Sequence, residues 1–178
     1  ATRWYRAPEL CGCFYGRYST AVDIWGIGCI FAEVLLGKPL FPGRDAVSQL
    51  TLITDLLGKP APHVIDRISN RKARAFLHAM PEKPGMPFEV KFPGADPEAL
   101  ALLKGLLSFD ASERLTAAQA LKLPFFKDLP EACFADVEPI TSAQFEFESQ
   151  QLSESDVRDL IYSEVLNYHP EMMAQYVA

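Results

Sequence analysis

Residues 19–37, STAVDIWGIGCIFAEVLLG, decide the fold class. Apolar side chains fall on almost every side of a 3.6-residue wheel, and Asp23 and Glu33 are the only charges. A helix that is apolar all round is an enclosed helix, so this stretch is expected to be the buried centre of the fold. Ser19 or Thr20 is placed to cap its start, and Gly37 to stop it. Asp23 is then expected to be buried as well, and a buried carboxylate needs several hydrogen-bond donors. Two sources remain open: the start of its own helix, or backbone N–H groups of another segment.

The chain on either side continues the helical pattern. After the break KPLFPG, residues 45–58 place Val47, Leu50, Ile53 and Leu57 at spacings of three and four, with Gly58 as the stop. HVIDRI and NRKARAFLHAM follow as weaker helical patterns, and then the Pro/Gly-rich stretch 81–95. Asp96 and Pro97 open another helix as N-cap and first helical residue. Thr116 with Gln119, and Ser153 with Asp156, form capping boxes for two more. A partly acidic connection over about 128–150 separates these last two. Only FEVKF (88–92) has any strand character, so the fold class is mainly α. A plain bundle would have shorter and less Pro-rich connections.

Composition narrows the function. The 178 residues are 49% apolar, enough for one sizeable core, or one core with a tail. Lys plus Arg number 17 against 23 Asp plus Glu, a net charge of −6, which disfavours a nucleic-acid partner. Cys11, Cys13, Cys29 and Cys133 do not make a disulfide framework in a chain of this length. Cys11 and Cys13 have no second pair at metal-ligand spacing, so no metal is expected, and the compartment is expected to be reducing. The longest apolar run, IWGIGCIFA, is well short of the roughly 20 residues a membrane span needs, and no membrane association is expected.

Residues 1–10, ATRWYRAPEL, are denser than a free terminus needs to be. They form either a buried corner or a binding surface. Glu9 and Arg114 each sit beside apolar residues, in APEL and ASERLT, but spacing alone does not pair them.

ATRWYRAPEL, DIWGIGCIFAEVLLGKPLFPG and LLSFDASERLTAAQALKLPFF, in this order and spacing, resemble the C-terminal lobe of a eukaryotic protein kinase. More narrowly, they resemble a mitogen-activated protein kinase (MAP kinase). Ala7-Pro8-Glu9 matches the signature that closes the kinase activation segment. Residues 58–95 resemble the helical insert of MAP kinases. FEFESQQLSESDVRDLIYSEVLNYHPEM resembles the C-terminal extension of the plant and algal class with a Thr-Asp-Tyr activation motif. The resemblance implies a partial kinase domain over 1–127 and an extension over 128–178 that packs back on it. It also implies that the chain begins just after the phosphorylated activation motif.

Site roles follow from the resemblance. Glu9 pairs with Arg114. Asp23 accepts backbone hydrogen bonds from the catalytic loop. Thr2, Trp4 and Tyr5 shape the pocket for the substrate proline, with Thr2 also reaching the catalytic groups. Arg3 and Arg6 engage the phosphotyrosine, whose charge of about −1.5 to −2 suits the two-pronged guanidinium. Val47 and Leu50 match the wall of a docking groove, which Ala46 makes shallower where other members carry tyrosine. A compact acidic docking site is not matched, because Asp128, Glu131, Asp136 and Glu138 are spread out. Arg67, Arg71, Lys72 and Arg74 read as a solvated helix face rather than a binding patch.

The glycine-rich loop, ATP lysine, catalytic loop and Asp-Phe-Gly of a kinase do not occur in these residues. The expectation is therefore that ATP and Mg2+ serve the parent kinase, with no residue of this chain binding them and no phosphotransfer by the chain alone. Expected partners are protein substrates with Ser/Thr-Pro sites and an upstream MAP kinase kinase, in cytoplasm and nucleus. Two alternatives remain: a non-catalytic helical interaction module, and an inactive kinase relative. The isolated chain is also expected to expose an apolar face of the lobe and to aggregate.

Overall fold

The computed structural model describes residues 2–12, 19–130, 142–169 and 171–172. Among them there is no β-strand, only an isolated bridge between Gly58 and Pro84. The chain divides into two compact units, residues 1–134 and 135–178.

The first unit is organised on two helices. Helix α2 (Ala21–Leu36) runs to Gly37, whose φ of 70° supplies the left-handed stop that an L side chain resists. The Ser19 hydroxyl accepts from the Ala21 N–H at 3.3 Å, whereas the Thr20 side chain makes no capping bond. Helix α7 (Pro97–Leu106) starts on Asp96, whose carboxylate accepts from the Glu98 N–H at 2.6 Å. The two pack closely because α2 offers Gly28: an added Cβ would lie 2.9 Å from Leu107 Cδ2 and 3.0 Å from Leu106 Cβ. Trp25, Cys29, Ala32, Leu103 and Leu107 are all but inaccessible between them. Trp25 stacks on Phe41 at 5.8 Å.

The remaining helices line this core. Helix α1 (Pro8–Gly12) contacts α3 (Ala46–Leu57) and α5 (Arg71–Ala79), and α4 (Pro62–Asp66) contacts α5. Asp45 and Ser48 close a capping box on α3 that its composition did not advertise. FEVKF is not a strand: Phe88–Lys91 is a short helix, α6, with Phe88 buried beside Phe92. A lone extended segment would have had no partner for its backbone groups, and one helical turn satisfies them locally. The Thr116–Gln119 box is present but opens only a four-residue helix, α8 (Ala117–Ala120).

Helix α2 departs from its expected enclosure. Its Trp25–Cys29–Ala32 side is buried, but Ile27 is 53%, Ile30 56% and Val34 73% exposed. Asp23 lies on that same open side and is exposed, not buried. Val47 is likewise exposed, while Leu50 and Ile53 on its helix are in the core.

In the second unit, residues 142–149 form a kinked 3-10 segment, and α9 (Glu154–Tyr168) follows. The Ser153–Asp156 box caps α9 as its sequence predicts, and none of the residues of α9 is buried.

Candidate functional site

Residues 3–5 make one 3-10 turn, Arg3–Tyr5, and side chains rather than backbone ladders hold it in place. The Trp4 indole N–H donates to Gly43 O at 3.1 Å. The fully buried Gln49 amide donates from Nε2 to Trp4 O at 3.3 Å and accepts from the Gly43 N–H at 3.2 Å. The Arg3 guanidinium donates to Arg44 O. On the other side, the Tyr5 hydroxyl donates to Glu33 Oε2 at 2.6 Å. That bond to a carboxylate raises the Tyr5 pKa above its ordinary 10.0, because ionising the phenol would set two anions together. Trp4 keeps 38% of its surface exposed, and Thr2, Arg3 and Arg6 are exposed beside it. The turn therefore presents aromatic and cationic side chains to solvent from a backbone tied at several points.

A second cluster lies behind it. Arg114 meets Glu9 through two parallel bonds, Nη1 to Oε1 at 2.9 Å and Nη2 to Oε2 at 3.1 Å. Its remaining donors reach Ala21 O at 2.5 Å and Ser108 O at 3.1 and 3.2 Å. The guanidinium lies over the Trp25 ring at 5.1 Å. The Arg114 side chain has no exposure and Glu9 retains 24%. A desolvated cation with every face partnered is costly to leave alone, about 3–5 kcal/mol when its counter-ion is removed. Residues 105 positions apart are thereby joined, and the segment after Arg6 is tied to the start of α2.

The protein kinase domain model matches residues 1–126. The chain belongs to the protein kinase family. Within it, the chain is similar over 99% of its length to plant MAP kinases. Identity is 56% to mitogen-activated protein kinase 16 of Oryza sativa subsp. japonica, 52% to mitogen-activated protein kinase 14 of the same plant, and 53% to mitogen-activated protein kinase 20 of Arabidopsis thaliana. It spans 36%, 33% and 29% of those relatives, about a third of each. The mainly helical architecture is that of a kinase C-terminal lobe.

The kinase lobe places the other sequence candidates unevenly. Glu9 and Arg114 meet; Trp4 and Tyr5 share the tethered turn with Arg3. Asp23 accepts no hydrogen bond from its own helix start, since the Ser19 hydroxyl takes that role. Exposed Val47 and buried Leu50 lie on successive turns of α3, with exposed Ala46 beside them. Of the basic run, Arg67 pairs with Asp110 and Arg74 donates to Ile68 O at 3.4 Å, so two of its four cations serve the fold. Glu131, Asp136, Glu138, Cys13 and Cys133 lie outside the described residues. Cys11 and Cys29 are buried, and burial pushes both thiols up to about 12. No three His, Cys, Asp or Glu side chains among the described residues converge as metal ligands would. Nor is any described helix long and apolar enough to cross a membrane.

Gln49 and Glu33 were missed by the sequence reading. Gln49 had a signal: it stands four residues before Ile53 and seven before Leu56, on the apolar side of α3. A polar amide in a core register must have partners. Glu33 had a weaker one, a carboxylate inside an otherwise apolar helix.

Proposed function

We propose that this chain is the substrate-binding and docking part of a MAP kinase that transfers the γ-phosphate of ATP to serine or threonine followed by proline. The tethered Arg3–Tyr5 turn carries the proposal. Its backbone is fixed through Gly43 and Gln49 while Trp4 stays partly open, which suits a pocket for a rigid, apolar residue such as proline. In the transfer, the substrate hydroxyl oxygen bonds to the γ-phosphorus, the bond to the ADP oxygen breaks to release ADP, and the hydroxyl proton passes to the catalytic-loop carboxylate of the parent kinase. The chain's own part is to hold the residue after the acceptor and so orient the hydroxyl. Arg3 and Arg6 sit at either end of the turn, where a phosphorylated tyrosine would meet two guanidinium groups.

ATP and Mg2+ are assigned to the parent kinase, whose glycine-rich loop, ATP lysine, catalytic loop and Asp-Phe-Gly do not occur in these residues. Val47 and Leu50 are assigned to a docking surface for partner proteins, Glu9 and Arg114 to the tie that holds the substrate segment. Residues 128–178 are assigned to an extension of the lobe; the end of the family match at 126 and the second unit beginning at 135 support that division.

The test compares Ser-Pro and Ser-Ala peptides with the complete protein, ATP and Mg2+. The expected result is a preference for Ser-Pro of more than about tenfold in kcat/KM, lost in Trp4→Ala, and no phosphotransfer by residues 1–178 alone. Equal use of both peptides, or transfer by the isolated chain, would overturn the proposal.

A further inference from the structure

Gln49 links the Arg3–Tyr5 turn to the loop before α3 from inside the core. Its amide is fully buried, and its two ends are spent on different segments: the donor on Trp4 O, the acceptor on the Gly43 N–H. Trp4 closes the circuit by donating its indole N–H to Gly43 O. Three hydrogen bonds among six polar atoms thus form a closed ring that joins the Arg3–Tyr5 turn, the loop before α3 and α3 itself. Gly43 is shaped for this ring. A Cβ there would lie 2.3 Å from Gln49 Oε1 and 2.8 Å from Gln49 Cα, so any side chain would force the amide away. The Asp45–Ser48 capping box then fixes the first turn of α3, from which Gln49 projects.

We infer that Gln49 is a positioning residue for proline selection, setting the height and tilt of Trp4 through its backbone carbonyl. The inference rests on the proposed function. Its physical basis is that a buried amide has no solvent to fall back on. Removing it strips Trp4 O of its partner and leaves the Gly43 N–H only its bond to Phe41 O at 2.8 Å, and the turn must move to recover a partner for Trp4 O. A shifted Trp4 no longer complements proline, while the acceptor hydroxyl is held by other groups. The loss is therefore expected in discrimination.

The experiment measures kcat/KM for paired Ser-Pro and Ser-Ala peptides in the complete protein and in Gln49→Ala. The expected result is a fall of roughly tenfold in the Pro-to-Ala ratio, the size of one hydrogen-bonded position, carried by a higher KM for the Ser-Pro peptide. An equal loss on both peptides, as general structural damage would give, overturns the inference and leaves the proposed function standing. A wild-type protein without proline preference overturns both. A second measurement needs no variant: hydrogen exchange of the Gly43 amide and the Trp4 indole N–H in the wild-type protein. Stronger protection by bound Ser-Pro peptide than by Ser-Ala peptide supports the inference, and equal protection overturns it.

Discussion

The two sides of α2 have nearly the same amino-acid character and opposite surroundings. One carries Trp25, Gly28, Cys29 and Ala32 into the core, where α7 comes close enough to touch the Gly28 backbone. The other turns Ile27, Ile30 and Val34 outward, with Asp23 on the same open side. Apolarity measures how much cover a helix wants; it does not say which neighbour supplies it. Periodicity is the usual guide to a helix's inner face, and α2 has too little of it to choose. The choice was made by partners far along the chain, chiefly Leu106, Leu107 and Arg114.

The largest test of this contrast is Arg114→Ala. It removes the cover over Trp25 and strands Glu9, so the chain should lose about 3 kcal/mol in a denaturant titration. A loss below about 1 kcal/mol would mean the pair is no stronger than a surface ion pair. Next are two alanine substitutions two residues apart. Gly28→Ala meets Leu106 and Leu107 and should cost about 1–2 kcal/mol, net of the helix propensity gained. Gly26→Ala, with nothing within 4 Å of the new Cβ, should stabilise by up to about 1 kcal/mol. Equal effects would erase the distinction between the sides. Ile30→Lys, on the open side, should change stability by no more than about 0.5 kcal/mol while reducing aggregation, read by light scattering of the isolated chain.

Chemistry offers a further comparison. With both thiols pushed up to about 12 by burial, Cys11 and Cys29 should resist iodoacetamide at pH 8 until the fold is opened by denaturant. Peptide mapping by mass spectrometry checks this, and rapid labelling of Cys29 would place it on the open side after all. The smallest effect belongs to Asp45, away from α2. Hydrogen bonds from the backbone and then the side chain of Ser48 hold its carboxyl below the ordinary 3.8. Its folded-state pKa is depressed, so its stabilising contribution is present above that ordinary value and fades as pH falls through the folded one. An NMR titration of Asp45 against Ser48→Ala measures it.

Local signals were legible without a structure. Asp96 with Pro97, Gly37, and the boxes at Thr116–Gln119 and Ser153–Asp156 all act within one turn of themselves, and all stand where their sequence places them. The kinase family was legible too, because contiguous motifs such as APE and the run around Asp23 keep their order in one dimension. The exposure of Asp23 was not legible, since it depends on which side of α2 its neighbours occupy. Nor was the reading of FEVKF, where five residues of alternating character fit either state and the absence of a pairing edge decided for helix.

What the sequence determined by itself is therefore helical content, caps and family: properties set by residues a few positions apart, or by motifs in a fixed order. What only the tertiary structure decided is the two-pronged geometry of the Glu9–Arg114 pair, which the family resemblance implied and spacing did not, and the ring of Trp4, Gly43 and Gln49. Those links join residues between 6 and 105 positions apart. Any glutamate can meet any arginine in an unfolded chain, and a buried amide finds its partners only when the core has closed around it and excluded water.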